Sequence, residues 1–209
     1  MKKAFPLLLL VIITAHAAAQ SGRRAAPPPQ TVTPAEAPSV TPSEPAPRAA
    51  PEEFKSLPES VLNRRIQSLD KDSFRLADFG GKVIVVNLWA TWCGPCRMEI
   101  PEYERVRRDY AARGVEFIGL TPEDPRTESD RVRQFARELK FGFRLGWADR
   151  ETALALMNGR DVIPQTYVIA ADGQVVRHWR GYASNGHSSA VLREAIDRAL
   201  AAGGASGTR

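Results

Sequence analysis

The sequence predicts an α/β domain with a mixed central sheet flanked by helices, and three observations predict it. Residues 83–86 are a short continuous run of valine and isoleucine, the pattern of a strand buried on both faces. Strand-like and helical segments alternate after it, which requires parallel neighbours in the sheet. Further on, strand patterns over 165–170 and 174–180 are joined through Asp172-Gly173, a hairpin signal that brings in antiparallel pairing.

Taken in order, the elements fill residues 54–202, a length suited to one domain with one core. Asp70-Lys71-Asp72 joins strand-like pieces over 66–69 and 74–76 as an N-terminal hairpin. A strand over 83–89 leads into a helix over 95–112, then a strand over 115–120, a helix over 128–139 and a strand over 143–146. Pro101 lies inside the first of these helices, where its ring removes one backbone bond and bends the axis. A short helix over 150–157 precedes the second hairpin. The last helix, over 188–200, gathers Val191, Leu192, Ala195, Ile196, Ala199 and Leu200 on one stripe that covers the sheet. No internal repeat or second domain is visible.

The chemistry is concentrated where the first long strand runs into its helix. Cys93 and Cys96 are the only cysteines of the 209 residues, and the spacing puts Cys93 at a helix N-terminus. There the unpaired N–H groups and the positive end of the helix dipole favour a thiolate, which supplies a nucleophile near neutral pH. Cys96, one turn later, can reach back to it. A zinc half-site would need two more ligands, and His178 and His187 do not have the spacing of a ligand pair on one helix. A purely structural disulfide across so short a loop removes little chain entropy. A working dithiol fits best.

Trp92-Cys93-Gly94-Pro95-Cys96 after a buried strand resembles a thioredoxin-fold active site. The longer string from Trp89 to Pro101 resembles the TlpA/ResA-like family of extracytoplasmic thiol-disulfide oxidoreductases, which covers residues 68–200 in outline. The resemblance implies a thioredoxin-like fold with an added N-terminal hairpin. It implies Cys93 and Cys96 as the catalytic pair and Glu99 as an acid–base partner, with Asn87 where cytoplasmic thioredoxins carry a buried aspartate. Trp92, Gly94, Pro95, Ile163 and Pro164 are then the substrate contacts, with a cis proline at 164. Physics agrees for Glu99: three residues after Cys96 it shares that helix face, and a desolvated carboxyl beside a thiolate has a raised pKa. Trp147, Trp179 and Tyr182 read as packing residues, and no motif surrounds His178 or His187.

Residues 1–19 read as a secretory signal: Lys2 and Lys3, an apolar stretch over 5–13, then Ala17-Ala18-Ala19. The stretch is shorter than the roughly 20 residues of a membrane span. Cleavage after Ala19 is the first expectation, cleavage after Ala17 the second, and an uncleaved anchor the third. No cysteine follows the apolar stretch, which excludes a lipoprotein anchor. The expected location is the periplasm or the extracytoplasmic face of the inner membrane. Residues 20–53 are expected to be a disordered spacer, since 20–51 hold nine of the 16 prolines and no aromatic residue. Residues 203–209 read as a flexible tail.

The net charge of +5 includes Lys2 and Lys3, and without them 27 basic residues face 24 acidic ones. The arginines alternate with acids along the helices, so no basic stripe marks a nucleic-acid partner. The expected function is reduction of disulfides in exported proteins, such as apocytochrome c or copper-site proteins, without a bound cofactor or metal. The Gly94-Pro95 pair resembles reducing members of the superfamily, and the resemblance implies a membrane thiol donor of the DsbD type. An exported oxidant would use the same residues in reverse, and a copper carrier would use the two sulfurs as soft ligands. A peroxidase would require a lone peroxidatic cysteine early in the fold, which the chain lacks.

Overall fold

The computed structural model describes residues 55–70 and 72–205. The expected signal, the expected spacer and residues 206–209 of the expected tail lie outside the described residues. Helix α1 (Glu59–Leu62) leads into strands β1 (Ile66–Ser68) and β2 (Ser73–Phe74). After a 3-10 turn at Leu76–Phe79 come β3 (Ile84–Leu88), α2 (Gly94–Tyr110), β4 (Glu116–Thr121), α3 (Pro125–Glu138) and β5 (Arg144–Trp147). Helix α4 (Arg150–Met157), strands β6 (Gln165–Ile169) and β7 (Val175–Arg180), and helix α5 (His187–Ala205) complete the described residues. The strands make one sheet in the order β2-β1-β5-β4-β3-β6-β7. β4 runs parallel to β3 and β5, and the remaining pairs are antiparallel. The sheet is mixed, and the N-terminal hairpin joins it through β5.

Strand parity decides which side chains meet. Ile84, Val86 and Leu88 enter a core with Val61 of α1 and Ala153, Leu156 and Met157 of α4. Val83 and Val85 face the other way, onto Tyr103 and Val106 of α2 and Leu192, Ala195, Ile196 and Ala199 of α5. Asn87 follows Val85 by two, so it lies on the α2 and α5 face although it is polar. A third cluster, with Val132 and Phe135 of α3, surrounds Trp89, Cys93, Cys96, Ile100 and Trp147.

Several boundaries differ from the sequence reading for local reasons. α1 has only four residues and one buried side chain, too short to show a period. β2 stops at Phe74 because Asp78 accepts from the Arg75 backbone N–H at 2.8 Å and from its guanidinium, which turns the chain into the 3-10 segment. α3 begins at Pro125, not 128, because the Asp124 carboxylate accepts from the Arg126 N–H at 2.9 Å and caps the helix. α5 runs on to Ala205, past residue 200 and into the expected tail. Ala199 is fully buried on its inner face. At Gly203, one turn on, an added Cβ would lie 3.5 Å from the Ala171 methyl. Among the described residues no helix is long and apolar enough to cross a membrane.

Gly119 on β4 leaves space that larger neighbours fill: a Cβ there would stand 2.7 Å from Leu145 Cδ2 and 3.0 Å from Trp89 Nε1. Trp89 is fully buried and stacked on Phe135 at 5.2 Å between centroids, so it cannot step aside. Gly119→Ala is therefore expected to lower the free energy of urea unfolding by about 1 to 3 kcal/mol through overpacking. An unchanged midpoint would show that the sheet relaxes around the methyl.

Candidate active site

β3 delivers the chain through the fully buried Trp89 and Ala90 into a turn, where the Cys93 N–H donates to Ala90 O at 3.1 Å. Cys93 is the N-cap of α2, and Gly94 and Pro95 are its first helical residues. Pro95 suits that position because the first turn needs no N–H from it. The two sulfurs form a disulfide with Cα atoms 5.3 Å apart, and the Cys96 N–H donates to Cys93 Sγ at 3.2 Å. A reduced Cys93 sulfur at the same place would accept that bond at the positive end of the helix, the arrangement that favours a thiolate. Cys96 is fully buried and Cys93 is 4% exposed, so Cys93 is the outer sulfur. Trp92 beside it is 66% exposed, and Gly94 has open space where a side chain would be.

The Ile163-Pro164 bond is cis, and Ile163 packs against the cluster that holds both cysteines. The loop before it is clamped from within the sheet: the Gln165 amide donates to Val162 O at 2.7 Å and to Arg160 O at 3.2 Å. His178 Nε2 meets Gln165 Oε1 at 2.9 Å, and its ring stacks on Tyr167 at 3.9 Å. Burial, helped by the Arg180 charge, holds His178 down at about 4, so it is neutral at physiological pH. Pro164 O accepts from the Gly181 N–H at 2.8 Å, whereas the N–H and C=O of Ile163 make no backbone hydrogen bond among the described residues.

Beneath Cys96 lies Glu99, fully buried. The Asn87 amide donates to its Oε2 at 3.0 Å and to Thr166 Oγ1 at 3.0 Å. Register explains the meeting: Asn87 is paired with Thr166, and Thr166 with Trp179, so the three form one row across β3, β6 and β7. Tyr103, one turn after Glu99 on α2, closes the group by accepting from Trp179 Nε1 at 3.2 Å. Glu99 Oε1 has no hydrogen-bond partner among the described residues. Burial raises the Glu99 pKa from 4.5 to about 7; the nearby Tyr103 hydroxyl and the Asn87 amide pull it down, and the Glu102 charge adds to the rise. A carboxyl that titrates near neutrality can take a proton from a buried thiol and return it.

Sequence reasoning placed Cys93, Cys96, Glu99, Trp92, Gly94, Pro95, Ile163 and Pro164 around one centre. The structure brings the two cysteines and Ile163 into one cluster and seats Glu99 on the Cys96 face of α2. Missed were Tyr103 and Thr166, together with the polar use of Trp179. The spacing from Glu99 to Tyr103 was a usable signal; the strand register behind Thr166 was not. Among the described residues no three or more His, Cys, Asp or Glu side chains form a group that could hold a metal ion.

Residues 55–178 match the AhpC/TSA family. The chain belongs to that family. The chain is 28% identical over 131 residues to the thiol-disulfide oxidoreductase ResA of Bacillus thuringiensis subsp. konkukian, covering 62% of this chain and 73% of that one. It also resembles a solved thiol:disulfide interchange protein, a thioredoxin family protein from Chlorobium tepidum TLS. That match has 28% identity and a TM-score of 0.56 over 73% of this chain and 98% of the other. A secreted Mycobacterium tuberculosis disulfide oxidoreductase shares the fold at 18% identity and a TM-score of 0.56, over 68% and 99% of the two chains. The fold is thioredoxin-like, the resemblance to ResA-like proteins holds, and the ResA relative supports a redox role for this AhpC/TSA domain.

Because Glu99 binds its proton more tightly folded than unfolded, ionising it costs folding free energy. The loss begins near pH 4.5, is complete above about 7, and amounts to about 3 kcal/mol. His178 acts in the opposite sense, its contribution present above 6.5 and lost as pH falls to about 4. The difference between wild type and Glu99→Gln isolates the carboxyl. Urea unfolding of the two oxidised proteins is expected to show the wild type losing about 3 kcal/mol relative to the variant between pH 4.5 and 8; a flat difference would contradict the burial argument.

Proposed function

We propose that the protein is an extracytoplasmic thiol-disulfide oxidoreductase that reduces disulfides in exported proteins. The observation that carries this reading is the division of labour at the start of α2, where an outer sulfur caps the helix and an inner sulfur sits above a carboxyl that titrates near neutrality. The Cys93 thiolate attacks one sulfur of a client disulfide, forming a mixed disulfide and releasing the other client sulfur as a thiolate. Cys96 gives its proton to Glu99 and attacks the Cys93 sulfur, which closes the Cys93–Cys96 bond and frees the second client sulfur. Two electrons pass to the client, and the proton on Glu99 is available when the pair is reduced again.

The client is held by backbone pairing at Ile163, whose N–H and C=O make no backbone hydrogen bond among the described residues. Val162 beside that contact and Trp92 beside Cys93 are exposed, and Gly94 and Pro95 keep the approach to Cys93 open. Clients of this chemistry include apocytochrome c and proteins with copper-site cysteines. Recharging falls to a membrane thiol donor of the DsbD type. The N-terminal residues, with their signal-like pattern, support export.

Cys96→Ala is expected to leave Cys93 joined to its clients, so that adducts sensitive to reductant accumulate in cells and disappear in Cys93→Ala, Cys96→Ala. Recovering no Cys93-dependent adduct would count against the exchange mechanism. Direction is read from the equilibrium potential of the pair: a reductant is expected near the thioredoxin value of about −270 mV, and a value near the DsbA figure of about −120 mV would make the protein an oxidant.

A further inference from the structure

A buried charge beside the dithiol loop that no step above uses is Glu123, in the connection between β4 and α3. Its side chain is 4% exposed, yet it collects four donors. The Thr91 N–H donates at 2.9 Å, the Thr91 hydroxyl at 2.6 Å, the Thr121 hydroxyl at 3.0 Å and the Arg131 guanidinium at 2.9 Å. Arg131, on α3, also pairs with Glu128 at 2.7 Å. Burial by itself would raise the Glu123 pKa, but the donors from Thr91, Arg131 and Thr121 hold it below the ordinary carboxylate value. It is therefore ionised at neutral pH.

The position of Thr91 gives that arrangement its meaning. β3 ends at Leu88. Past it the Trp89 N–H donates to Leu120 O at 3.0 Å, and the Cys93 N–H folds back to Ala90 O. Between these two bonds the Thr91 N–H has no strand to pair with, and Glu123 supplies the acceptor. The loop that carries Cys93 thus hangs from β4 at one end and from a charged, four-donor anchor in its middle. Charge-assisted bonds of this kind are roughly twice as strong as neutral ones.

We propose that Glu123 is a positioning residue for disulfide exchange: by fixing Thr91 it sets the turn that places the Cys93 sulfur at the cap of α2, with Arg131 holding the carboxylate from the solvent side. It acts through Cys93 and not on the client, and it rests on the reading of Cys93 as the nucleophile. Glutamine at 123 would keep the shape, but it has one acceptor oxygen and turns an N–H group toward a cluster of donors.

The test uses the reduced full-length protein and follows the rate of Cys93 alkylation by iodoacetamide against pH. Glu123→Gln is expected to move the midpoint upward and to slow exchange with a model disulfide about tenfold, the scale of a small misplacement. Thr91→Val moves the midpoint the same way by less, and Thr91→Ser, which keeps both donors, matches wild type. Mere loss of a negative charge near the sulfur would shift the midpoint downward, so a downward or absent shift in Glu123→Gln overturns the proposal. Should that variant fail to fold, equal midpoints in Thr91→Val and Thr91→Ser overturn it instead. A wild-type Cys93 that does not alkylate at any pH would sink the nucleophile reading itself, which separates the two failures.

Discussion

A carboxyl cut off from water beneath the first turn of α2 is the constraint on which the rest of the site depends. Glu99 is there because α2 packs its inner face on the sheet, and the sheet offers a polar row at that point in place of apolar side chains. Asn87, Thr166 and Trp179 make that row through strand register alone. A slip of one residue in β3 would send Asn87 into the Leu156 and Met157 side of the core and leave the carboxyl facing valine. The site and the sheet pairing are therefore one design problem.

Two buried carboxylates next to one dithiol loop show that burial alone does not set ionisation. Glu99 is fully buried with the Asn87 amide on Oε2 and the Tyr103 hydroxyl nearby, neither of them charged, and its pKa rises to about 7. Glu123 is nearly as buried but receives four donors, one of them a guanidinium, and its pKa falls. Desolvation acts upward on both; the number and charge of the donors decide the outcome. The first carboxyl is free to exchange a proton and the second is free only to hold the loop. Cys96 and Cys93 divide in parallel, one buried over the titrating acid and the other at the surface end of the helix.

Local signals carried most of what the sequence revealed. The dithiol, its helix start and the Glu99 spacing lie within seven residues, and the alternation of strands and helices follows from hydrophobic period. The Asp124-Pro125 cap was also written locally, and reading the helix from its apolar residues missed it. What the sequence did not show was long-range: Thr166 meets Asn87 across 79 residues and Thr91 meets Glu123 across 32. Neither pair has a spacing rule, because strand order and the β4–α3 connection determine both. Trp179 packs, as an aromatic beside a strand is expected to, but its N–H also donates to the hydroxyl of Tyr103.

The central claim is that burial makes Glu99 a proton acceptor near neutral pH, and its carboxyl can be watched directly. With glutamate labelled at the side-chain carboxyl carbon, the Glu99 resonance, assigned by its absence in Glu99→Gln, is followed by NMR against pH in the oxidised protein. A midpoint at about 7 is the result expected from its surroundings. A midpoint at the ordinary value near 4.5 would contradict the account, because a carboxylate of that pKa is too weak a base to draw the proton from Cys96 near neutral pH.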